Sequence, residues 1–399
     1  MYDTPINERH PRVSWPLILA LLGLMLISVA FISSAKPPVE SIAWHRQFYV
    51  KQMIWFVLGS GAAVGICMLD YRSLARWSLV AYWIVIGLLL AVLVPFIGTT
   101  HGWGARRWID LGSFQMQPSE FAKLALIFAM AHFLGRPTEE LRQPQVCLKS
   151  LGLTALPFLL ILKEPDLGSA LVLFPITLVM MLVAGVPLRF LIRFLAGVGA
   201  LVVLLLVDVL FAPPHWQIKL ENYQRRRLLV YFGRDFAHDQ MSEAERQKAR
   251  LQQRNDSWNV RQALISVGSG GVWGKGWRQG RQIGLGYLPP MVAHNDFIFS
   301  VIAEEKGFLG SVAVLSLYAV VLFSGIRIAG QARDRLGKLL AVGVVALLFS
   351  HVFINIGMNI RLMPVTGIPL PLLSYGGSSV LCSLIAAGIL QNVYLHRRS

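Results

Sequence analysis

The sequence predicts an all-α polytopic membrane protein of about ten transmembrane helices with one long extracytoplasmic loop. Three observations predict it. Of 399 residues, 55% are hydrophobic and only 15% charged, where a soluble domain carries about 25% charged residues. Mean hydropathy is +0.57. Apolar runs near the ~20 residues needed to cross a bilayer recur along the whole chain, whereas a β-barrel would show short alternating segments. Residues 1–399 therefore read as a single integral membrane domain.

The first run is Trp15–Ile32. Arg9 and Arg12 precede it and Ser33-Ser34-Ala35 follows, which mimics a signal-cleavage pattern. The run is long for a signal segment and other apolar runs follow, so an uncleaved first helix is expected. Next come Met53–Leu69, Trp77–Ile97 and Phe121–Leu134. Ser150–Leu162 and Leu167–Val186 flank the step Glu164-Pro165-Asp166, and Phe194–Phe211 is interrupted only by Asp208. The polar stretch 212–296 separates the seventh and eighth helices. Phe297–Ile326, Leu339–Ile356 and Ser379–Leu395 complete the set.

Lys/Arg bias orients them. Arg72, Arg76, Arg136, Arg142, Lys149, Arg189, Arg193, Arg327, Arg333, Arg335, Lys338, Arg397 and Arg398 fall in one set of connections. An even number of spans puts both termini on that side, the cytoplasm, with Arg9 and Arg12. The opposite side then receives 33–52, 98–118, 163–166, 212–296 and 357–378. A net charge of +16 on a soluble chain would suggest nucleic acid. Here much of it is topology charge facing anionic lipid, and no nucleic-acid partner is expected. Cys67, Cys147 and Cys382 are scattered, without zinc or redox spacing. Within the long loop, Met241–Asn255 predicts an exposed helix, opened by the capping-box spacing of Ser242 and Glu245.

The few acids are the most informative residues. Asp296 stands where the loop runs into the eighth helix, two residues after His294, and Glu304 and Glu305 lie just inside the apolar run. Ionisable residues at a membrane boundary are functional candidates by default, and a carboxylate partly removed from water is a better base. Glu120 and Lys123 share one face at the start of the fourth helix, as a structural ion pair or as the lining of a polar cavity. Arg107 and the run Tyr223-Gln224-Arg225-Arg226-Arg227 place guanidinium groups on the outer side. Topology does not explain them there; contact with lipid headgroups, or bidentate binding of a phosphate-bearing lipid substrate, would. Asp166 reads as a turn residue or a second acid of that face. Gly268–Trp277, with Lys275, has glycines for tight turns and lacks the strand–helix frame of a nucleotide loop.

These motifs together resemble the SEDS proteins of bacterial cell-wall synthesis, the RodA branch more than the FtsW branch. The matching segments are Arg107 to Gly112, Gln117 to Lys123, Glu164 to Gly168, Tyr223 to Arg225 and Ile265 to Gly276. Asp296 to Phe299, Ala303 to Glu305, Asn355 to Met358 and Gly367 to Ser379 complete the pattern, and Pro369-Leu370-Pro371 tilts it toward RodA. The resemblance implies a peptidoglycan glycosyltransferase that polymerises lipid II outside the cytoplasmic membrane. It implies Asp296 as the essential acid and Glu120 with Lys123 as the cavity ion pair. Charge and side make Arg107, Arg225 and Lys275 candidates for pyrophosphate contacts, with Asp166, His294 and Glu304 as further candidates. A class B penicillin-binding protein, a transpeptidase of the elongation complex, is the implied partner. No cofactor is demanded, although a divalent cation, Mg or Mn, would suit the pyrophosphate. One departure is local: the family's Leu-Pro-Glu-x-His-Thr-Asp is replaced by Leu288 to Asp296, two residues longer, without the glutamate and with Asn295 for Thr. A lipid II flippase is the rival reading. A site gathered on one face favours the polymerase over the midplane site that alternating access needs.

Overall fold

All ten apolar runs are helices in the computed structural model, which describes residues 13–35, 44, 47–99, 106–110, 112, 115–211, 222–233, 243–288 and 290–397. Arg9, Arg12, Arg398 and Ser242 lie outside the described residues. In order, the chain forms α1 (Trp15–Ala35), α2 (Phe48–Cys67), α3 (Tyr71–Arg76) and α4 (Ser78–Leu93). Three short strands follow, β1 (Gly98–Thr99), β2 (Trp108–Asp110) and β3 (Gln115–Met116). Then come α5 (Pro118–Leu134), α6 (Thr138–Leu141), α7 (Pro144–Lys163), α8 (Leu167–Ala184) and α9 (Leu188–Phe211). The long polar stretch holds α10 (Asn222–Phe232), α11 (Glu243–Ser269), α12 (Arg281–Gly284) and α13 (Pro290–Ala293). The chain closes with α14 (Ile298–Gln331), α15 (Arg335–Asn359) and α16 (Gly377–Leu395).

Among the described residues, eight helices are long and apolar enough to span a bilayer: α1, α2, α7, α8, α9, α14, α15 and α16. The 16-residue α4 is a shorter apolar helix, and α5 carries the Glu120–Lys123 pair. Burial sorts centre from rim. In α15 and α16, 78% and 72% of the apolar window is buried, against 6% in α9, so α9 presents nearly its whole circumference outward. With little hydrophobic drive between helices in lipid, close approach is set by small residues. A Cβ on Gly388 of α16 would come within 2.9 Å of the Ala63 Cα of α2, and one on Gly343 of α15 within 2.8 Å of both Ile127 and Met180.

The end of the bundle that bears the loop is built differently from the sequence expectation. The strands form an antiparallel sheet, with Thr99 opposite Trp108 and Ile109 opposite Met116. They seat Arg107 immediately before β2. The predicted loop helix runs on to Ser269, beyond Asn255, and α10 precedes it. At 1.5 Å per residue the 34-residue α14 would be about 50 Å long, well over the ~30 Å hydrocarbon core. It is broken at Gly307, whose φ of 65° and ψ of −158° are not helical. The glycine-rich turn fills the break. Lys275 and Gly276 amides donate to the Glu304 and Glu305 carbonyls at 3.0 Å each, and the Phe308 amide donates to Gly271 at 2.8 Å. A side chain at Gly274 would collide with the Glu305 carbonyl, and one at Gly307 with the Gly274 amide. The glycines therefore serve backbone-to-backbone packing rather than phosphate cradling.

Candidate functional site

Asp296 lies in the turn between α13 and α14, and its main chain is clamped before its side chain is considered. The amides of Asn295 and Asp296 donate to the Val292 carbonyl. The Asp296 carbonyl accepts from Asn355 Nδ2 at 3.0 Å and Asn359 Nδ2 at 3.1 Å. Those asparagines are four apart on α15, hence on one helix face, and Asn355 also donates to the Ile368 carbonyl at 2.7 Å. Ser374 Oγ donates to the Asn295 carbonyl at 2.5 Å. Two neighbouring segments thus hold the turn through buried, satisfied polar groups.

The carboxylate itself is half-buried, and among the described residues no hydrogen bond reaches its oxygens. Burial pushes its pKa up from 3.8 to about 6, with Asp166 adding to the rise and Arg227 and Arg107 opposing it. Gly367, at φ 75°, lies against it: a Cβ there would sit 3.7 Å from Asp296 Oδ2 and 4.0 Å from Arg227 Nη2. Arg227 Nη1 donates to the Val365 carbonyl at 2.7 Å. Arg107 Nε donates to the Glu164 carbonyl at 3.2 Å, another of its nitrogens donates to the Pro165 carbonyl, and Nη1 stands 4.0 Å from Asp166 Oδ1.

Asp166 caps α8 through the Ser169 amide at 3.1 Å, and its other oxygen accepts from Gln117 Nε2 at 3.0 Å and Ser119 Oγ at 3.3 Å. The turn-residue reading is correct in form, and the cap also fixes Arg107. Beside it Glu164 is fully buried, with no hydrogen-bond partner among the described residues for either carboxylate oxygen. Burial and the Asp166 charge push its pKa from 4.5 to about 9, against the pull of Arg107.

The structure redistributes the other sequence candidates. On α10, Arg227 is the guanidinium acting on Asp296. Residues two apart on a helix point nearly opposite ways, so Arg225 does not share that face. Lys275 is committed elsewhere: Nζ lies 2.6 Å from Glu304 Oε1 and 2.7 Å from Ser269 Oγ. Glu304 is buried and also accepts from the Gln282 amide at 3.2 Å, so these two candidates pin the glycine turn to α14. The His294 ring is buried edge-on against Phe48 at 5.0 Å and beside Tyr375 at 5.4 Å, a packing role. Glu120 and Lys123 form an ion pair at 2.6 Å with side chains 4% and 1% exposed, and His351 Nε2 lies 3.0 Å from the ammonium. The pair is enclosed by protein. Among the described residues no three acidic, His or Cys side chains group to hold a metal. Arg227 was named only within its basic run, and Glu164, Asn355 and Gly367 only within longer matching segments, while His351 and Asn359 were not named from the sequence. For His351 and Asn355 the available signal was a polar residue inside an apolar run.

Comparison with known proteins agrees with this architecture. Residues 14–399 match the family described as "Cell cycle protein", that of FtsW, RodA and SpoVE. The chain is 32% identical to the peptidoglycan glycosyltransferase RodA of Treponema pallidum, covering 94% of this chain and 96% of that one. It is 34% identical to the stage V sporulation protein E of Bacillus subtilis, over 97% and 99% of the two chains. A solved peptidoglycan synthase complex, described as coordinating polymerization and crosslinking, contains a chain that superposes with a TM-score of 0.75 at 28% identity, covering 97% of this chain and 99% of that one. The protein belongs to the FtsW/RodA/SpoVE family, the SEDS membrane proteins.

Proposed function

We propose that the chain is a peptidoglycan glycosyltransferase that polymerises lipid II at the outer face of the cytoplasmic membrane, with Asp296 as general base. One observation carries the reading. Asp296 is a half-buried carboxyl with no hydrogen bond of its own among the described residues, poised near pKa 6 under the influence of two guanidinium groups, Arg227 and Arg107. A sugar hydroxyl is a weak nucleophile and needs a base whose pKa lies near the working pH. In this reaction the acceptor GlcNAc 4-hydroxyl passes its proton to Asp296 as its oxygen bonds to the donor MurNAc carbon. The bond from that carbon to the diphosphate breaks, and undecaprenyl pyrophosphate leaves with the electron pair. Arg107 and Arg227 stand where they stabilise the departing negative charge.

The bias of Lys and Arg toward the opposite end supports the outer placement and cytoplasmic termini. A divalent cation fits in one way. Mg²⁺ is commonly held by one or two carboxylates plus substrate phosphates, so Asp296 would meet it without a three-acid cluster, and the ion would neutralise diphosphate charge. The likeness to a synthase complex and the Pro369-Leu370-Pro371 segment support a class B penicillin-binding transpeptidase of the elongation complex as partner.

The test gives purified protein, with its transpeptidase, fluorescent lipid II in detergent. Glycan ladders that disappear in Asp296→Asn support the polymerase. Translocation in liposomes with no ladder from the wild type supports the flippase instead.

A further inference from the structure

At the end of the bundle opposite Asp296, the ends of α1, α14 and α16 surround a cavity of about 800 Å³, within the ~300–1,000 Å³ of small-molecule sites. Helix α1 measures the separation. Ser34 at its far end bonds the Glu305 carboxylate near Asp296, and Trp15 at its start lines the cavity. About twenty residues at 1.5 Å each put the two some 30 Å apart, roughly the thickness of the hydrocarbon core. Arg327 stands four residues before the end of α14, and Arg397 lies just past the end of α16. The Ser14 amide donates to Gln391 Oε1 at 3.3 Å and ties the start of α1 to α16. The cavity lies between that junction and α14.

The lining divides by chemistry. Val320, Phe323, Arg327 and Gln331 of α14 all line the cavity at spacings of three and four, so an apolar wall and a polar rim share one helix face. Arg327 is exposed. Arg397 is held at the rim: Nη1 donates to the Tyr394 carbonyl at 2.6 Å, and the guanidinium carbon lies 3.6 Å from the Tyr394 ring centroid. Among the described residues no carboxylate lines the cavity. Two guanidinium groups without acidic counter-charge, beside an apolar wall, complement an anionic lipid. The cations match phosphate oxygens, and the wall takes an acyl chain, which a free anion would leave uncovered. Trp15 and Tyr394 are residues of the type that sits at headgroup level. This is also the face that Lys/Arg bias assigns to the cytoplasm, and basic pockets between helices on that side hold anionic headgroups.

We propose that this cavity binds an anionic phospholipid of the cytoplasmic leaflet, with its phosphate held by Arg327 and Arg397 and an acyl chain laid against Val320 and Phe323. The bound lipid fills the space between α14 and the joined ends of α1 and α16, and so clasps the three helices together. The site is separate from the Asp296 region and does not depend on the polymerase reading.

The experiment titrates the delipidated full-length protein in detergent with phosphatidylglycerol, or with phosphatidylcholine of the same chains, and reads bound lipid by native mass spectrometry. Expected for the wild type is one phosphatidylglycerol held about tenfold more tightly than phosphatidylcholine. The double variant Arg327→Gln, Arg397→Gln should lose that preference. Arg327→Gln alone should weaken phosphatidylglycerol by about fivefold. Because Arg327 is exposed, this single variant should melt with the wild type when no lipid is added, which keeps the test independent of folding. A control, Arg189→Gln with Arg193→Gln, removes the same charge from exposed positions on α9 and should bind as the wild type does. Equal affinity for the two lipids overturns the proposal. So does a cavity variant that binds like the wild type, or an α9 control that loses as much. Displacement of the lipid by excess inorganic phosphate would mark an ion site that ignores the apolar wall, and a protein dimer in place of the lipid adduct would assign the cavity to a second copy; either result also overturns it.

Discussion

Glu164→Gln should stabilise the protein, and more so as pH rises. The side chain is fully buried, both oxygens lack partners among the described residues, and its pKa is lifted from 4.5 to about 9. A carboxyl whose folded pKa exceeds its unfolded value binds protons more tightly when folded. Its favourable contribution is complete below about 4.5 and is lost as pH climbs toward 9, at about 1.4 kcal/mol per pH unit. Between pH 5 and pH 8 the wild type should therefore lose roughly 4 kcal/mol through this one group. Gln has the shape of the neutral acid and does not titrate, so the variant should escape the loss. At pH 7 its advantage is about 3 kcal/mol. Thermal unfolding of both proteins in one detergent, at one scan rate, from pH 5 to pH 8 is the assay. The two should melt together near pH 5 and separate steadily above it. Parallel curves would refute the reasoning, because they would mean that Glu164 ionises in the folded state or finds a partner there. Polymerisation at pH 7 should survive the change, since the native side chain is already neutral.

The other expectations are as follows. Activity should fall on the acid side with an apparent pKa near 6, since Asp296 must be ionised to act as base and its pKa is raised from 3.8; a limb near 4 would show that burial and Asp166 do not act on it. Arg227→Gln removes a cation that lowers this pKa, so the limb should move above 6, while Arg225→Gln leaves it in place in the same pH–rate measurement. Lys123→Met leaves Glu120 buried without its cation, and breaking such a pair costs about 3–5 kcal/mol. Melting temperature and detergent-soluble yield should both drop, and adding Glu120→Gln should recover much of the loss. Gly274→Ala places a methyl against the Glu305 carbonyl at φ 80°, so the glycine turn should detach from α14, read as faster amide exchange over residues 270–276.

The helices were legible because a span needs a long uncharged run, and ten such runs have few other uses in a 399-residue chain. The sheet β1–β3 was not legible, since strands of two or three residues leave no period to read. Asp296 stood out as an acid at a boundary. Arg225 and Arg227 could not be told apart without the phase of α10, which tertiary packing sets. Lys275 and Glu304 were separate candidates in the sequence, and only the return of the glycine turn onto α14 makes them one ion pair. In the sequence His351 is a lone histidine in an apolar run. Nothing local announces that Lys123, 228 positions earlier, is its neighbour.

Three carboxyl groups at this end of the bundle show how surroundings assign roles to similar chemistry. Glu164 is sealed without partners among the described residues, so the proton stays on it near neutrality. Asp166 has its oxygens taken by a backbone amide, an amide side chain and a hydroxyl, so it has little capacity left for a substrate. Asp296 is open enough to be reached, enclosed enough to be raised to about 6, and held by its backbone rather than by its carboxylate. A general base needs this last combination: it must be placed rigidly while its oxygens remain available. The same logic ranks the acids by substitution. Asp296→Asn should remove the proposed base, Asp166→Asn should act through the loosened cap and Arg107, and Glu164→Gln should leave the chemistry alone.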